Sequence, residues 1–300
     1  MPLDLLRKKP LVETYLRKAP YRLSSFSFVN IFAWKDFFDF RFEVIDGNLC
    51  VFASSAVGTF LYLPPLGKNI SGKAVSQCFE VMEKENKGSG VTRIENVEED
   101  MLPFFWSEKF KVFKKSEEYV YRRKDIANLK GNTLKTKRSL YNYFAKYFSF
   151  EYSAFETPMA DECLSLYERW AKERKESHKD EIYRHLLDEN RAVHKLLLAH
   201  GKDLELVGRV IRMNGKIKAY TFGCALNPQT FCILLEIADL KIKGLPVTIF
   251  REFAKDKEVQ KFEFINVMDD FGLESVRRTK LSFRPCGIIP SYVATRKPPL

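Results

Sequence analysis

The sequence predicts a mixed α/β (α+β) protein made of two similar halves, each a mixed, mostly antiparallel sheet with flanking helices. Three observations predict it. Segments with apolar residues at every second position alternate with segments at helical spacing along the whole chain. Asp46-Gly47 and Asn214-Gly215 fall between such period-2 runs, where a two-residue hairpin turn needs residues that tolerate positive φ. The second half then repeats the layout of the first: consecutive strands, a helix, a strand, a helix, a strand. At 300 residues and 45% hydrophobic content, the chain is long enough for two cores.

The first 20 residues read as a short amphipathic helix, because their charges recur too closely for a signal peptide's apolar core. Over 26–38, Phe26, Phe28, Ile31, Phe32, Trp34, Phe37 and Phe38 fit a helix with a broad apolar face, capped by Ser24 or Ser25. The hairpin at Asp46-Gly47 follows, then a strand over 59–63 ended by Pro64-Pro65. A helix is expected over 71–87, a strand over 91–97, a short acidic helix over 98–106, and strands over 110–113 and 119–121. Leu134, Leu140, Tyr141, Phe144 and Phe148 then recur at helical spacing in a basic segment that starts at Gly131-Asn132. The second half opens with a strand over 149–155 and helices over 161–173 and 179–199. A three-strand meander turning at Asn214-Gly215 and Asn227-Pro228 comes next, then a glycine turn into a helix. Residues 282–296 close the sheet, and the proline-rich tail is expected to be loose. The expected organisation is a domain over 1–128, a basic connecting helix over 129–148 and a second domain over 149–300.

The net charge of +11 is uneven, since residues 107–146 hold twelve Lys/Arg against four acids. Clustered positive charge attracts phosphates of RNA, a cofactor or an anionic lipid surface, although a solvated basic face has the same composition. The six cysteines form no CxxC pair and sit in apolar contexts, which reads as free thiols in a reducing compartment. His178, His185, His194 and His200 lack metal-ligand spacing, so no metal site is expected. No apolar run reaches the ~20 residues of a membrane span. The expected location is the cytoplasm, with peripheral contact at the inner face of the membrane as the alternative and no stable insertion.

The chemistry is densest at 261–285, which reads as strand, polar turn, helix, strand. Asn266, Asp269 and Asp270 crowd the end of the strand, and Arg277, Arg278 and Lys280 lie in the last helical turn, where the helix dipole favours cations. Such a junction is a common place for a functional site; an N-cap with surface ion pairs gives the same pattern. This segment resembles the closing motif of the phosphatidylglycerol lysyltransferase C-terminal domain family at Asn266, Asp269, Asp270, Gly272, Glu274, Arg277 and Lys280. Val267, Met268 and Ser275 depart from that motif, as do Ile237 and Phe250 further upstream. The basic helix is also similar, from Leu129-Lys130-Gly131 through Lys137-Arg138 to Asn142 and Phe144.

The resemblance implies two tandem GNAT-like (acyl-CoA N-acyltransferase-like) domains joined by the basic helix. Relatives are the catalytic domains of lysyl-phosphatidylglycerol synthases and Fem-type aminoacyltransferases. It implies transfer of an aminoacyl group from aminoacyl-tRNA to a lipid or other hydroxyl or amine acceptor. Asp269, Asp270 and Glu274 would hold the α-amine, with Arg277 and Lys280 steadying the oxyanion or a phosphate and Asn266 beside them in the motif. Lys130, Lys135, Lys137 and Arg138 would take the tRNA, and Glu236, Lys241 and Gly244 would contact substrate. No cofactor is required, because the donor ester is already activated. In the GNAT fold a basic-x-x-Gly turn cradles the pyrophosphate of coenzyme A. Here Lys241-Ile242-Lys243-Gly244 begins that pattern, while Pro246 removes one N–H donor. A coenzyme A-dependent N-acyltransferase and a non-catalytic tandem-GNAT binding protein are the alternatives; a monomer is expected in each case.

Overall fold

The computed structural model describes residues 2–297 apart from 89, 108, 178 and 179. In chain order the elements are α1 (Pro2–Leu6), α2 (Lys9–Leu16), α3 (Phe28–Ala33), β1 (Asp39–Ile45), β2 (Asn48–Ser55), β3 (Gly58–Leu61), α4 (Gly72–Asn86), β4 (Ile94–Glu98), α5 (Leu102–Phe105), β5 (Phe110–Arg122), α6 (Arg123–Asn128) and α7 (Lys135–Tyr147). They continue with β6 (Glu151–Ala154), α8 (Ala160–Ser177), α9 (Glu181–Ala199), β7 (Val207–Met213), β8 (Lys216–Ala225), β9 (Thr230–Ala238), α10 (Leu245–Lys255), β10 (Phe264–Asp269), α11 (Glu274–Leu281) and β11 (Gly287–Arg296). Packing divides the chain into two compact units. One is Met1–Glu118 with Met268–Glu274 and Ile288–Leu300; the other is Tyr119–Val267 with Ser275–Gly287. The basic helix α7 therefore belongs to the second unit, and most of the last strand to the first.

In the first unit β1, β2 and β3 form an antiparallel meander whose first turn is Asp46-Gly47, with Ile45 opposite Asn48. β3 then meets β4 in parallel at Leu61 and Ile94, and β11 pairs antiparallel with β4. Helix α4 starts where the Ser71 side chain accepts from the Ala74 N–H, and ends at left-handed Lys87. Its buried Ala74, Val75, Cys78, Phe79 and Met82 make the single apolar stripe of an amphipathic helix. Helix α3 is shorter than 26–38 and is buried on every side; Ser27, rather than Ser24 or Ser25, caps it by accepting from the Asn30 N–H at 3.1 Å.

In the second unit the strand order is β10-β9-β8-β7-β6, antiparallel except that β10 runs parallel to β9. One face is packed by α10 through two clusters. Tyr121, Phe231, Ile233, Phe250, Phe253 and Ile265 form the first. Phe144, Ile211, Ala219, Ala238, Leu245 and Ile249 form the second. His194 on α9 is a core residue: its Nδ1 lies 2.7 Å from the Tyr220 hydroxyl, and burial pushes the ring down to about 3, so it stays neutral. None of the six cysteines, all among the described residues, is in a disulfide; Cys224 and Cys232 stand opposite each other in β8 and β9. The tail beyond 297 and His178 lie outside the described residues.

Candidate functional site

The second unit carries a wedge at its sheet. β10 and β9 pair at Phe264–Thr230, Ile265–Phe231 and Asn266–Cys232, where the register ends, while β9 runs on to Ala238. Just beyond, the β8–β9 register shifts between Phe222 and Gly223, inserting one extra residue in β9. Gly223 makes this approach feasible, since a Cβ there would lie 2.3 Å from the Cys232 carbonyl oxygen. Past the bulge, Glu236 stands opposite Thr221, two residues from Ala238 and so on the face that α10 covers.

Glu236 is the most perturbed carboxyl in this unit. Its side chain keeps contact with solvent, yet protein crowds it, and the lost hydration pushes its pKa up to about 8. Thr221, fully buried, sets its hydroxyl beside this carboxyl and draws the value partly back. That hydroxyl falls short of full hydrogen-bond geometry and has no other partner among the described residues. A buried hydroxyl whose one near partner is a poorly aligned, protonatable carboxyl is a costly arrangement for a core, and an ordinary one for a binding site.

Tyr121 is the next neighbour. Burial raises its phenol, with smaller contributions from Tyr119 and from Glu236 itself, and its hydroxyl donates to the Lys280 carbonyl at 2.8 Å. Phe250 and Phe283 pack edge-on against the Tyr121 ring. Lys137 sits with its ammonium 4.0 Å from the centre of the Phe283 ring, and burial lowers its pKa.

The other residues singled out in the sequence divide between the units. Asn266 is fully buried in β10 of the second unit, opposite Cys232. Lys280 donates from Nζ to the Val267 carbonyl at 2.6 Å, tying α11 to β10, and Arg277 is exposed on α11. In the first unit, Asp270 is buried and makes the turn: its Oδ1 accepts from the Gly272 N–H at 2.9 Å and its carbonyl from the Leu273 N–H. Asp269 ends β10 and is among the carboxylates that raise the buried Tyr62 phenol; Glu274 is the exposed first residue of α11.

The basic residues have several fates. Arg138 directs Nη1 to the carbonyls of Leu129 (2.7 Å) and Gly131 (3.0 Å), clamping the turn before α7. Lys130 and Lys135 are exposed. Lys241 pairs with Glu173 at 2.6 Å, which raises its pKa. Gly244 has φ +88°, and a Cβ there would lie 2.3 Å from the Leu140 carbonyl oxygen, so α7 packs directly on the start of α10. The outward side of α7 presents Tyr143 and Tyr147, exposed by 37% and 60%, their rings 4.8 Å apart. Lys243 lies over Tyr143 and Lys146 over Tyr147. Sequence reasoning passed over Thr221 and Tyr121, for which one signal existed: Thr221 is a polar residue at an inward position of the apolar strand AYTFGCA.

Among the described residues, no group of three or more His, Cys, Asp or Glu could hold a metal ion, and no helix is long and apolar enough to cross a membrane.

The fold has solved relatives over its full length. A conserved protein of unknown function from Bacteroides thetaiotaomicron is 28% identical, with 97% of each chain covered and a TM-score of 0.86. L-PGS from Bacillus licheniformis is 18% identical over 97% of this chain and 92% of that one, with a TM-score of 0.65. FemX shares the fold at 7% identity, 95% of each chain and a TM-score of 0.58. No protein of curated function matches the sequence. The sequence pattern of the family described as phosphatidylglycerol lysyltransferase, C-terminal, matches residues 17–295, and to that family this chain belongs.

Proposed function

We propose that the second unit transfers an aminoacyl group from aminoacyl-tRNA to a hydroxyl or amine acceptor, with Glu236 carrying the proton. The observation behind this reading is a carboxyl poised near 8 beside the poorly aligned Thr221 hydroxyl, at the point where β9 leaves β10. In the forward step the acceptor's O–H or N–H gives its proton to the Glu236 carboxylate while its oxygen or nitrogen bonds to the ester carbonyl carbon. Collapse of the tetrahedral species breaks the bond to the terminal ribose oxygen, which takes that proton from Glu236. No proton or electron is gained or lost overall. A group with a pKa near 8 serves both halves at neutral pH. The ester is already activated, so placement and oxyanion stabilisation supply the remainder; in this reading Arg277 is the cation.

The RNA end lies along the outward side of α7. Arg138 is occupied by carbonyls, and Lys137 is half-buried against the Phe283 ring, whereas Lys135, Lys146 and Lys243 are exposed. That leaves Lys135, Lys146 and Lys243 for phosphates, and Tyr143 and Tyr147 for unpaired bases. A coenzyme A-dependent reaction has less support, because Leu140 backs onto the turn that would cradle the pyrophosphate. The test is transfer of label from a pool of charged tRNAs to lipid or amine acceptors. Wild type should transfer and Glu236→Gln should not, with an unchanged far-UV spectrum. Charged tRNA bound no better than an unrelated polyanion would end this reading.

A further inference from the structure

We propose that the end of the first unit where β5 begins and β11 finishes is a docking edge for an anionic phospholipid bilayer. Helix α5 stops at Trp106, whose N–H closes on the Leu102 carbonyl at 2.8 Å. The Trp106 side chain is 70% exposed. Beside it Phe105, Ser107, Phe110, Val112 and Lys297 complete the lining of an open pocket of about 470 Å³. Its floor is firm, since buried Phe105 packs edge-on against Phe104 and Phe110, with ring centres 5.0 and 5.5 Å away. The indole therefore stands on a supported aromatic base.

The charge around it is one-sided. The Lys297 N–H donates to the Lys109 carbonyl at 2.9 Å and the Thr295 hydroxyl to the Lys111 carbonyl at 3.3 Å, bringing Lys109, Lys111 and Lys297 to one end of the sheet. All three are exposed. Nearby Lys114, Lys115 and Arg296 are answered by Glu117, Glu95 and Glu83. Among the described residues, Lys109, Lys111 and Lys297 have no such ion pair. Glu108 lies outside the described residues, and even with its charge counted the cations prevail.

The chemistry favours a lipid surface over a folded partner or a nucleic acid. An indole with an apolar body and one N–H suits the headgroup level of a bilayer. The pocket lining offers only Ser107 and Lys297 as polar side chains besides the indole N–H, too few to read a peptide or a base. Lysines near an acidic leaflet are attracted without fixed geometry, and three together should favour acidic over neutral lipid by roughly 100-fold. One aromatic anchor with three cations gives reversible contact, weaker than stable anchoring.

This inference does not rest on the transferase reading, and its test uses no RNA. The full chain is sedimented with vesicles of phosphatidylcholine alone and of phosphatidylcholine mixed with phosphatidylglycerol. Pelleting is expected with the mixed vesicles only, and it should fall as salt rises. Trp106→Ala should reduce it at least fivefold, and Lys109→Ala with Lys297→Ala by roughly 25-fold. Brominated acyl chains should quench tryptophan emission in wild type but not in Trp106→Phe. Equal pelleting with both vesicle types, no pelleting, or pelleting unchanged by both sets of variants would overturn the proposal.

Discussion

Each unit contains a pair of parallel strands that part soon after they meet, β3 with β4 and β9 with β10, and the two wedges are filled differently. In the first unit β3 and β4 share only the Leu61–Ile94 position. Beyond it the chain fills the gap with its own polar groups. The Asn96 amide donates to the Tyr62 carbonyl at 2.8 Å, and the Tyr62 hydroxyl to Asn30. Glu118 accepts from both the N–H and the hydroxyl of Ser24, and Glu98 from the N–H groups of Arg22 and Leu23. In the second unit the equivalent strand keeps Glu236 in touch with solvent, beside a hydroxyl that lacks a proper partner. A buried carboxylate whose acceptor sites are taken by main-chain donors is part of the scaffold. One whose neighbour is still unsatisfied is available for a ligand.

The sharpest way to break this contrast is to make the same change in both wedges. Glu236→Gln should cost roughly 10²–10⁴ in transfer rate with little change in thermal stability. Glu118→Gln should instead leave the transfer rate intact and cost about 1–3 kcal/mol of stability, since it weakens charge-assisted bonds to Ser24. Denaturation curves and initial rates on the two variants decide it. A stable but inactive Glu118→Gln would reverse the assignment of the two wedges.

The pH response follows from the same carboxyl. Folding raises the Glu236 pKa from 4.5 to about 8. Between those values the folded state holds a proton that the unfolded chain has lost, so this group's contribution to stability declines as pH rises through that window and levels off above it. His194 acts in the opposite sense: its ring is held down at about 3 from 6.5, so stability is lost as pH falls from 6.5 towards 3. Glu236→Gln should abolish the first slope and leave the second. The transfer rate, which needs the carboxylate, should climb towards pH 8 and then flatten.

Much of the fold was legible because it depends on local chemistry. The Asp46-Gly47 and Asn214-Gly215 turns both adopt the positive φ that such hairpins require. The stripe of α4 and the meander of the second unit follow the periodicities of their residues. The misses have tertiary causes. Strands expected over 110–113 and 119–121 are one strand, β5, because the polar run Lys114–Glu118 pairs its backbone even though its side chains read as a loop. Helix α6 went unseen since RRKDIAN is short and charged; Arg123 holds it by donating to the Phe262 and Ala254 carbonyls. Of the site, Asp270 lies in the polar turn that the sequence places there, and its side chain closes that turn. The state of Glu236 was unreadable, because it depends on the crowding that tertiary packing brings to the carboxyl, which Thr221, fifteen positions away and adjacent only through the β8–β9 register, offsets in part.

A smaller effect separates the two sides of α7. Arg138→Ala should cost about 1–2 kcal/mol, from lost bonds to the Leu129 and Gly131 carbonyls, with little change in RNA affinity. Lys135→Glu with Lys146→Glu should do the reverse, weakening RNA binding and flattening its salt dependence at unchanged stability. Filter binding and melting curves on both variants separate the outcomes; weaker RNA binding by Arg138→Ala alone would move the RNA to the inner side of the helix.

The smallest expected effect is none. Acetyl-coenzyme A should not raise the melting temperature, because the start of α10 has few donors to offer an anion. The Leu245 N–H already donates to the Ile242 carbonyl at 3.2 Å, and Pro246 has no N–H. Gly244 is pressed against the Leu140 carbonyl, an oxygen whose partial negative charge repels phosphate. A ligand present at 100 times its Kd adds about 2.7 kcal/mol, several degrees for a protein of this size. A shift of that size with acetyl-coenzyme A would mean that α7 moves off the turn. The proposed donor would then have to be exchanged for a thioester, with Glu236 free to keep the same proton-carrying role.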